Sequence, residues 1–218
     1  MTTAHSFYER YWLETAAQVK DFQRKWPKLS RFIPREPGVH ILDVGCGDGR
    51  FVCAMSALNP QARFTGVDVS QAALDLAAKA APHAAFHRIA DGAPLPLADA
   101  SVDFILATEV IEHVYDTEAL FREMARVLKP GGRLLITTPY HGFLKNLVLV
   151  AVWFDRHFDP TGPHIRFFSN RALDRCLRTA GLARLARGYF GLFRPLSFSV
   201  FVLAGKRART SSTTGVDP

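Results

Sequence analysis

Cysteines and long apolar runs are both scarce in this sequence, and each scarcity excludes something. Only three cysteines occur among 218 residues: Cys46, Cys53 and Cys176. An odd, sparse set without a C-x-x-C pair argues against a disulfide framework and a zinc ribbon. It fits a reducing compartment, so a cytoplasmic protein with no bound metal is expected. The most apolar stretch, "LVLVAVWF" (147–154), is bracketed by Lys145 and Asp155 and is too short to span a bilayer. The opening "MTTAHSFYERYWLE" has no apolar run of the kind a secretory leader carries. Internal repeats are absent, as is any appended nucleic-acid module or Asn-Pro-Pro-aromatic motif. Charge is unequal: 27 Lys and Arg against 20 Asp and Glu, a net +7. Bases gather at Arg24, Lys25, Lys28 and Arg31, and again at Arg171, Arg175, Arg178, Arg184 and Arg187. A scattered basic face is ordinarily a solvated one, so nucleic acid is disfavoured as a partner, while peripheral contact with an anionic membrane stays open.

What is present is an alternation of apolar runs and helical patterns. Strands are predicted at 39–44, 62–69, 84–89, 102–108 and 133–138. Helices are predicted at 50–58, 70–81 with Ser70 as N-cap, and 116–128, which "KPGG" stops. Buried parallel strands read as continuous apolar runs, and these do. The rhythm implies an α/β fold: a mostly parallel sheet with helices on both faces. After Pro139 it breaks into an aromatic-rich stretch to Phe168. A helix at 169–181 follows, closed by Gly181, and then two strand-like runs at 182–190 and 196–206. The expected organisation is an N-terminal helical cap (1–36), a main domain (37–206) with an inserted lid (139–168), and a disordered tail (207–218).

The stretch "HILDVGCGDGR" (40–50) runs a strand into a glycine turn, the arrangement that holds a nucleoside at the carboxyl edge of a parallel sheet. A dinucleotide turn would read G-x-G-x-x-G. Here the third glycine, Gly49, comes one position early, which argues against hydride transfer. Asp68 ends the next strand, 19 residues after Gly49, close to the roughly 20 expected of an acid that grips ribose hydroxyls. The alternative reading of Asp68 is a cap for the helix after Ser70.

Five segments in order, "ILDVGCGDG", "GVDVS", "IADGAPLPLADASVDFI", "EVIEHV" and "RVLKPGGRLLITTP", resemble the motifs of the class I S-adenosylmethionine-dependent methyltransferases. The resemblance covers about residues 38–206 and feels nearest the small-molecule branch related to quinone-biosynthesis methylases. It implies a Rossmann-like seven-stranded sheet with an antiparallel last strand and S-adenosyl-L-methionine as cofactor. It also implies a cofactor set of Asp43, Gly45, Cys46, Gly47, Asp68, Val69, Asp91, Gly92, Thr108 and Glu109. Within that set Asp43 and Gly45 would lie near the amino-acid moiety, with Thr108 or Glu109 flanking it. Asp68 would lie on the ribose, and Asp91 on the adenine amine with Gly92 beside it. The donor is a sulfonium without phosphates, and a site rich in carboxylates suits it.

Methyl transfer is an in-line displacement that positioning alone accelerates, and a base is needed only where the acceptor must lose a proton. His113, Tyr140 and His141 are the candidate catalytic residues, each with a packing role as the alternative. His164 is a candidate for the lid, and Arg166 for binding either an acidic substrate group or a backbone carbonyl. The aromatics Phe143, Trp153, Phe154, Phe158, Phe167 and Phe168, with Phe7, Tyr8, Tyr11 and Trp12, read either as packed cap helices or as a lid over an apolar pocket. The expected acceptor is a small lipophilic or aromatic metabolite, methylated on oxygen, nitrogen or carbon. The alternatives are a lipid-linked acceptor at a membrane surface, with Lys145 and Arg156 near headgroups, or RNA or DNA.

Overall fold

The computed structural model describes residues 18–152, 154, 164–191 and 196–208. Among them, seven strands form one sheet. These are β1 (His40–Val44), β2 (Arg63–Asp68), β3 (Ala85–Arg88), β4 (Val102–Thr108), β5 (Leu128–Pro139), β6 (Leu182–Phe190) and β7 (Ser199–Lys206). Their spatial order is β3-β2-β1-β4-β5-β7-β6. Every neighbouring pair from β3 through β5 is parallel. β7 lies antiparallel between β5 and β6. The expected Rossmann-like, mostly parallel sheet with an antiparallel last strand is therefore present.

The helices are α1 (Gln18–Leu29), α2 (Arg50–Leu58), α3 (Gln71–Ala80), α4 (Thr117–Val127), α5 (Phe143–Val152) and α6 (Asn170–Thr179). Local chemistry sets their ends. Ser70, Asp116 and Ser169 each accept a backbone N–H from the residue three positions on, at 3.2, 2.8 and 3.2 Å, so each relieves an otherwise unpaired donor. Gly181, at φ +74°, closes α6 in the left-handed conformation that glycine adopts without a Cβ penalty.

β1 is buried along its whole length, and its alternating side chains feed two cores. Leu42 and Val44 join Ile105, Ile136, Phe121, Met124 and Leu173 on one face. Ile41 joins Phe104, Leu135, Phe51, Met55 and Leu29 on the other. A sheet covered on both faces leaves its carboxyl-terminal edge as the open rim. The strand order reverses at β1, which has β2 on one side and β4 on the other, and a crevice forms there.

Three expectations are corrected. The helix after β5 is not a packed cap, because no residue of α5 is buried, and Phe143, Leu147 and Val152 are 81%, 56% and 62% exposed. Lys145 does not point outward to meet headgroups: its Nζ donates to the carbonyls of Tyr140 (2.8 Å) and Phe198 (3.4 Å). The basic clusters are solvated only in part: Arg24, Arg31, Arg171, Arg175 and Arg178 are exposed as expected, but the other four are engaged. Lys25 is buried in ion pairs, Lys28 donates to the Tyr189 carbonyl at 2.8 Å, and Arg184 and Arg187 both hold Asp174. Trp153, Arg156, Phe158, Phe7, Tyr8, Tyr11 and Trp12, and the tail from 209, lie outside the described residues. No helix among the described residues is long and apolar enough to cross a membrane.

Candidate active site

The turn between β1 and α2 is tight for steric reasons. Gly45, Gly47 and Gly49 all have positive φ, at +67°, +54° and +78°. A Cβ on Gly45 would stand 2.4 Å from Val110 Cγ2, and one on Gly49 would stand 3.0 Å from the Ala77 backbone of α3. The chain is thus drawn against the loop after β4 on one side and α3 on the other. The turn is tied to β2 by Gly45 and Cys46, whose N–H groups both donate to the Val67 carbonyl, at 2.8 and 3.1 Å. The Cys46 thiol faces the core, beside Gly66 and Phe86, and burial holds it protonated, far above the usual thiol range. Only the backbone of Cys46 is left to face a ligand.

Asp68 sits at the end of β2, with Oδ2 accepting Gly47 N–H at 2.9 Å and Oδ1 accepting Ser70 N–H at 3.0 Å. It therefore both caps locally and latches the glycine turn, and its carboxylate is fixed in place by the two amides.

Asp43 is the most telling residue. It is 1% exposed, and neither carboxylate oxygen has a hydrogen-bond partner. Burial first, then the charges of Asp68 and Asp48, push its carboxyl well above the usual carboxylate range. A buried carboxylate is rarely left unpaired without a reason. A cationic group brought into the crevice would meet that need. The neighbouring cations are otherwise engaged, since Arg50 pairs with Asp48 and Lys25 with Asp21 and Glu109. A carboxylate set that lacks a basic anchor fits the cationic, phosphate-free cofactor implied by the sequence resemblance.

Asp91 and Gly92 lie exposed in the loop before β4, and Gly92 is at φ +73° with open space around it. Arg126 of α4 clamps that loop. It donates to the Leu95 and Leu97 carbonyls at 3.0 and 2.9 Å, and to Asp99 at 2.7 Å. Val69 is half-buried at the β2–α3 junction, and its carbonyl accepts from Arg88 at 3.3 Å. Thr108 ends β4 opposite Thr137.

Glu109 follows at φ +53°, a conformation that costs a residue with a Cβ about 1–2 kcal/mol. Its surroundings hold it there. The backbone N–H bonds the Thr137 carbonyl at 3.0 Å. The carboxylate accepts from Thr137 (2.8 Å), Ser199 (3.0 Å) and Lys25 (2.7 Å). The Lys25 side chain, 1% exposed, brings α1 over the end of β4. Sequence reasoning read Lys25 as one base of a cluster and missed its pairing with Glu109, because the seating of a helix on a sheet edge leaves no local signature.

The three candidate catalytic residues separate. Tyr140 is 9% exposed and meets Tyr189 edge-on at 5.1 Å. His141 is 5% exposed, with Nδ1 at 3.1 Å from Asn146 and its ring against Phe167. Both have packing roles. His113 is half-buried next to Glu112, 3.9 Å from Nε2 to Oε1, and its ring lies 4.9 Å from that of His164. Glu112, Oε2 accepting from Thr138 at 3.0 Å, is fully buried; burial and then Glu109 raise its carboxyl well above the usual range. No metal-binding group is expected from the sequence. The structure nonetheless assembles Glu112, His113 and His164 within 4.8 Å, a convergence that the 50 residues between His113 and His164 conceal.

Residues 42–136 match the family described as Methyltransferase domain. The biotin biosynthesis bifunctional protein BioHC of Cellvibrio japonicus is 32% identical over 183 residues, covering 81% of this chain and 35% of that protein. The 27-O-demethylrifamycin SV methyltransferase of Amycolatopsis mediterranei is 31% identical over 137 residues, 60% of this chain and 50% of that protein. The chain thus spans about a third to a half of these relatives. Other matches bear the names of O-methyltransferases and of tRNA methyltransferases, so the relatives do not agree on an acceptor. Among solved structures, a Haloferax volcanii methyltransferase in complex with the Trm112 activator superposes with a TM-score of 0.72. That match is at 19% identity, over 89% of this chain and 95% of the other, a likeness of fold.

Proposed function

This chain belongs to the class I S-adenosylmethionine-dependent methyltransferases, and from that premise we propose that it transfers a methyl group to a small lipophilic or aromatic metabolite. The observation that carries the cofactor side is the buried, unpartnered carboxylate of Asp43 beside the glycine turn. S-adenosylmethionine supplies an electrophilic methyl on a sulfonium when bound. Asp43 would receive its cationic amino-acid end, Asp68 its ribose hydroxyls, and Asp91 with Gly92 its adenine. Gly45 and Gly47 leave room for the ligand to approach the backbone. His113, half-buried in the turn after β4, would face the acceptor and, where no ion engages it, could take a proton from an acceptor hydroxyl.

A second reading, a lipid-linked acceptor at a membrane surface, is favoured by the exposed apolar side chains of α5, which suit an interface better than water. One assay separates the readings. Labelled S-adenosylmethionine is offered with soluble phenolic and hydroxylated acceptors, with the same acceptors in anionic vesicles, and with tRNA. Label in the soluble acceptors is the expected result. Label appearing only with vesicles selects the second reading, and label in tRNA alone overturns both.

Asp43 makes cofactor binding depend on pH. A cationic ligand needs the carboxylate, which the elevated Asp43 value withholds at low pH. Affinity for S-adenosylmethionine should therefore rise with pH through that value and level off above it. The ligand-free fold should show the opposite trend. A raised folded-state value stabilises the protein below it and loses that contribution as pH rises through it. Calorimetric titrations of the parent and Asp43→Asn check this: the variant should bind more weakly, with a flatter pH profile. An unchanged profile would remove Asp43 from the ligand site.

A further inference from the structure

We propose that Glu112, His113 and His164 bind one divalent first-row metal ion, whose remaining coordination positions take an oxygen of the methyl acceptor. The acceptor half of this inference rests on the methyl-transfer reading above; the ion site does not.

Two imidazoles and one carboxylate form a donor set that suits Zn²⁺, Mn²⁺ or Fe²⁺ better than the all-oxygen cages preferred by Mg²⁺ or Ca²⁺. Their ligand atoms all lie within 4.8 Å of one another. Bonds of roughly 2.1 Å place donors about 3.3 Å apart, a spacing these side chains reach by torsional adjustment. The three arrive by different routes. Glu112 and His113 are adjacent in the turn after β4. His164 comes from the far side of the 139–168 insertion and is delivered by main-chain bonds. The N–H groups of Ile165 and Arg166 both donate to the Glu112 carbonyl, at 3.0 Å each. Arg166 also reaches the Tyr115 carbonyl at 2.7 Å, with its guanidinium over the Tyr115 ring. These contacts hold the His164 segment against the turn that carries Glu112 and His113.

A second observation points to an ion independently. The Glu112 side chain is fully buried, and Oε1, the oxygen on the His113 side, has no hydrogen-bond partner, although Oε2 accepts from Thr138. Three protein ligands leave coordination positions over, as sites that act on a substrate do.

The test uses the full chain, stripped with a chelator and titrated with Mn²⁺, followed by paramagnetic resonance, and with Zn²⁺ against a chromophoric chelator. The expected result is one ion per chain. Glu112→Gln and His164→Ala should each weaken binding at least tenfold, and the double variant should abolish it. His87→Ala, an exposed histidine on β3, should change nothing. Circular dichroism verifies that the variants fold, and calorimetry follows S-adenosylmethionine binding by the same samples. If the cofactor binds but neither ion does, or if ion binding ignores both substitutions, the inference falls alone. If the ion binds through Glu112 and His164 while the cofactor does not bind at all, the ion site is supported and the methyl-transfer reading falls.

Discussion

Asp68→Ala should weaken S-adenosylmethionine binding by at least about 100-fold, equivalent to roughly 3 kcal/mol, the worth of one or two charge-assisted hydrogen bonds. The carboxylate is held by the amides of Gly47 and Ser70, so it stands ready for ribose hydroxyls without reorganisation. The substitution also removes a negative charge beside Asp43, and that relief offsets part of the cost of losing the latch on the turn. The loss in affinity should therefore far exceed the loss in stability. Isothermal titration and thermal unfolding of the same samples separate the two quantities. A variant that binds as tightly as the parent would show that the ligand lies elsewhere.

Gly45→Ala should be the most damaging single-methyl change in the turn. An alanine there must hold φ near +67°, which costs about 1–2 kcal/mol. Its Cβ also meets Val110 Cγ2 at 2.4 Å, a clash with a β-branched side chain that adds about 1–3 kcal/mol of overpacking. For a chain of this size the sum lowers Tm by on the order of 10 °C. Gly131→Ala is the matched control, since it carries φ +82° with nothing within 4 Å of the added carbon. The difference between the two melting temperatures measures the clash by itself. Equal values would mean that Val110 gives way and the turn is not tight.

The legible parts of this fold are those whose pattern is carried within the element itself. Arg50–Leu58, Val102–Thr108 and Leu182–Phe190 coincide with the predicted runs residue for residue. In the two parallel strands at the centre, β1 and β4, burial on both faces leaves little freedom in residue type. The caps at Ser70 and Gly181 are readable because their chemistry is local. What was not legible depends on which distant surfaces meet. The apolar α5 has a composition that fits burial, yet nothing covers it among the described residues. Lys145 turns back onto two carbonyls. Lys25 reads as one base of a cluster, and its burial against Glu109 is a property of how α1 docks. The approach of His164 to Glu112 depends on main-chain bonds from Ile165 and Arg166, which no pattern in "GPHIRFFS" announces.

The place of β7 has a consequence for how the molecule is made. It is last of the strands in sequence, yet it separates β5 from β6 and bonds to both. Its Lys206 also caps the end of α4 through the Ala125 and Leu128 carbonyls, at 2.6 and 2.7 Å. During synthesis the strands that carry the cofactor turn can pair before β7 exists. Until it arrives, the apolar β5 presents an open ladder of the kind that recruits other chains. Closure of that ladder thus waits on residues 199–206, far in sequence from every group assigned to a ligand.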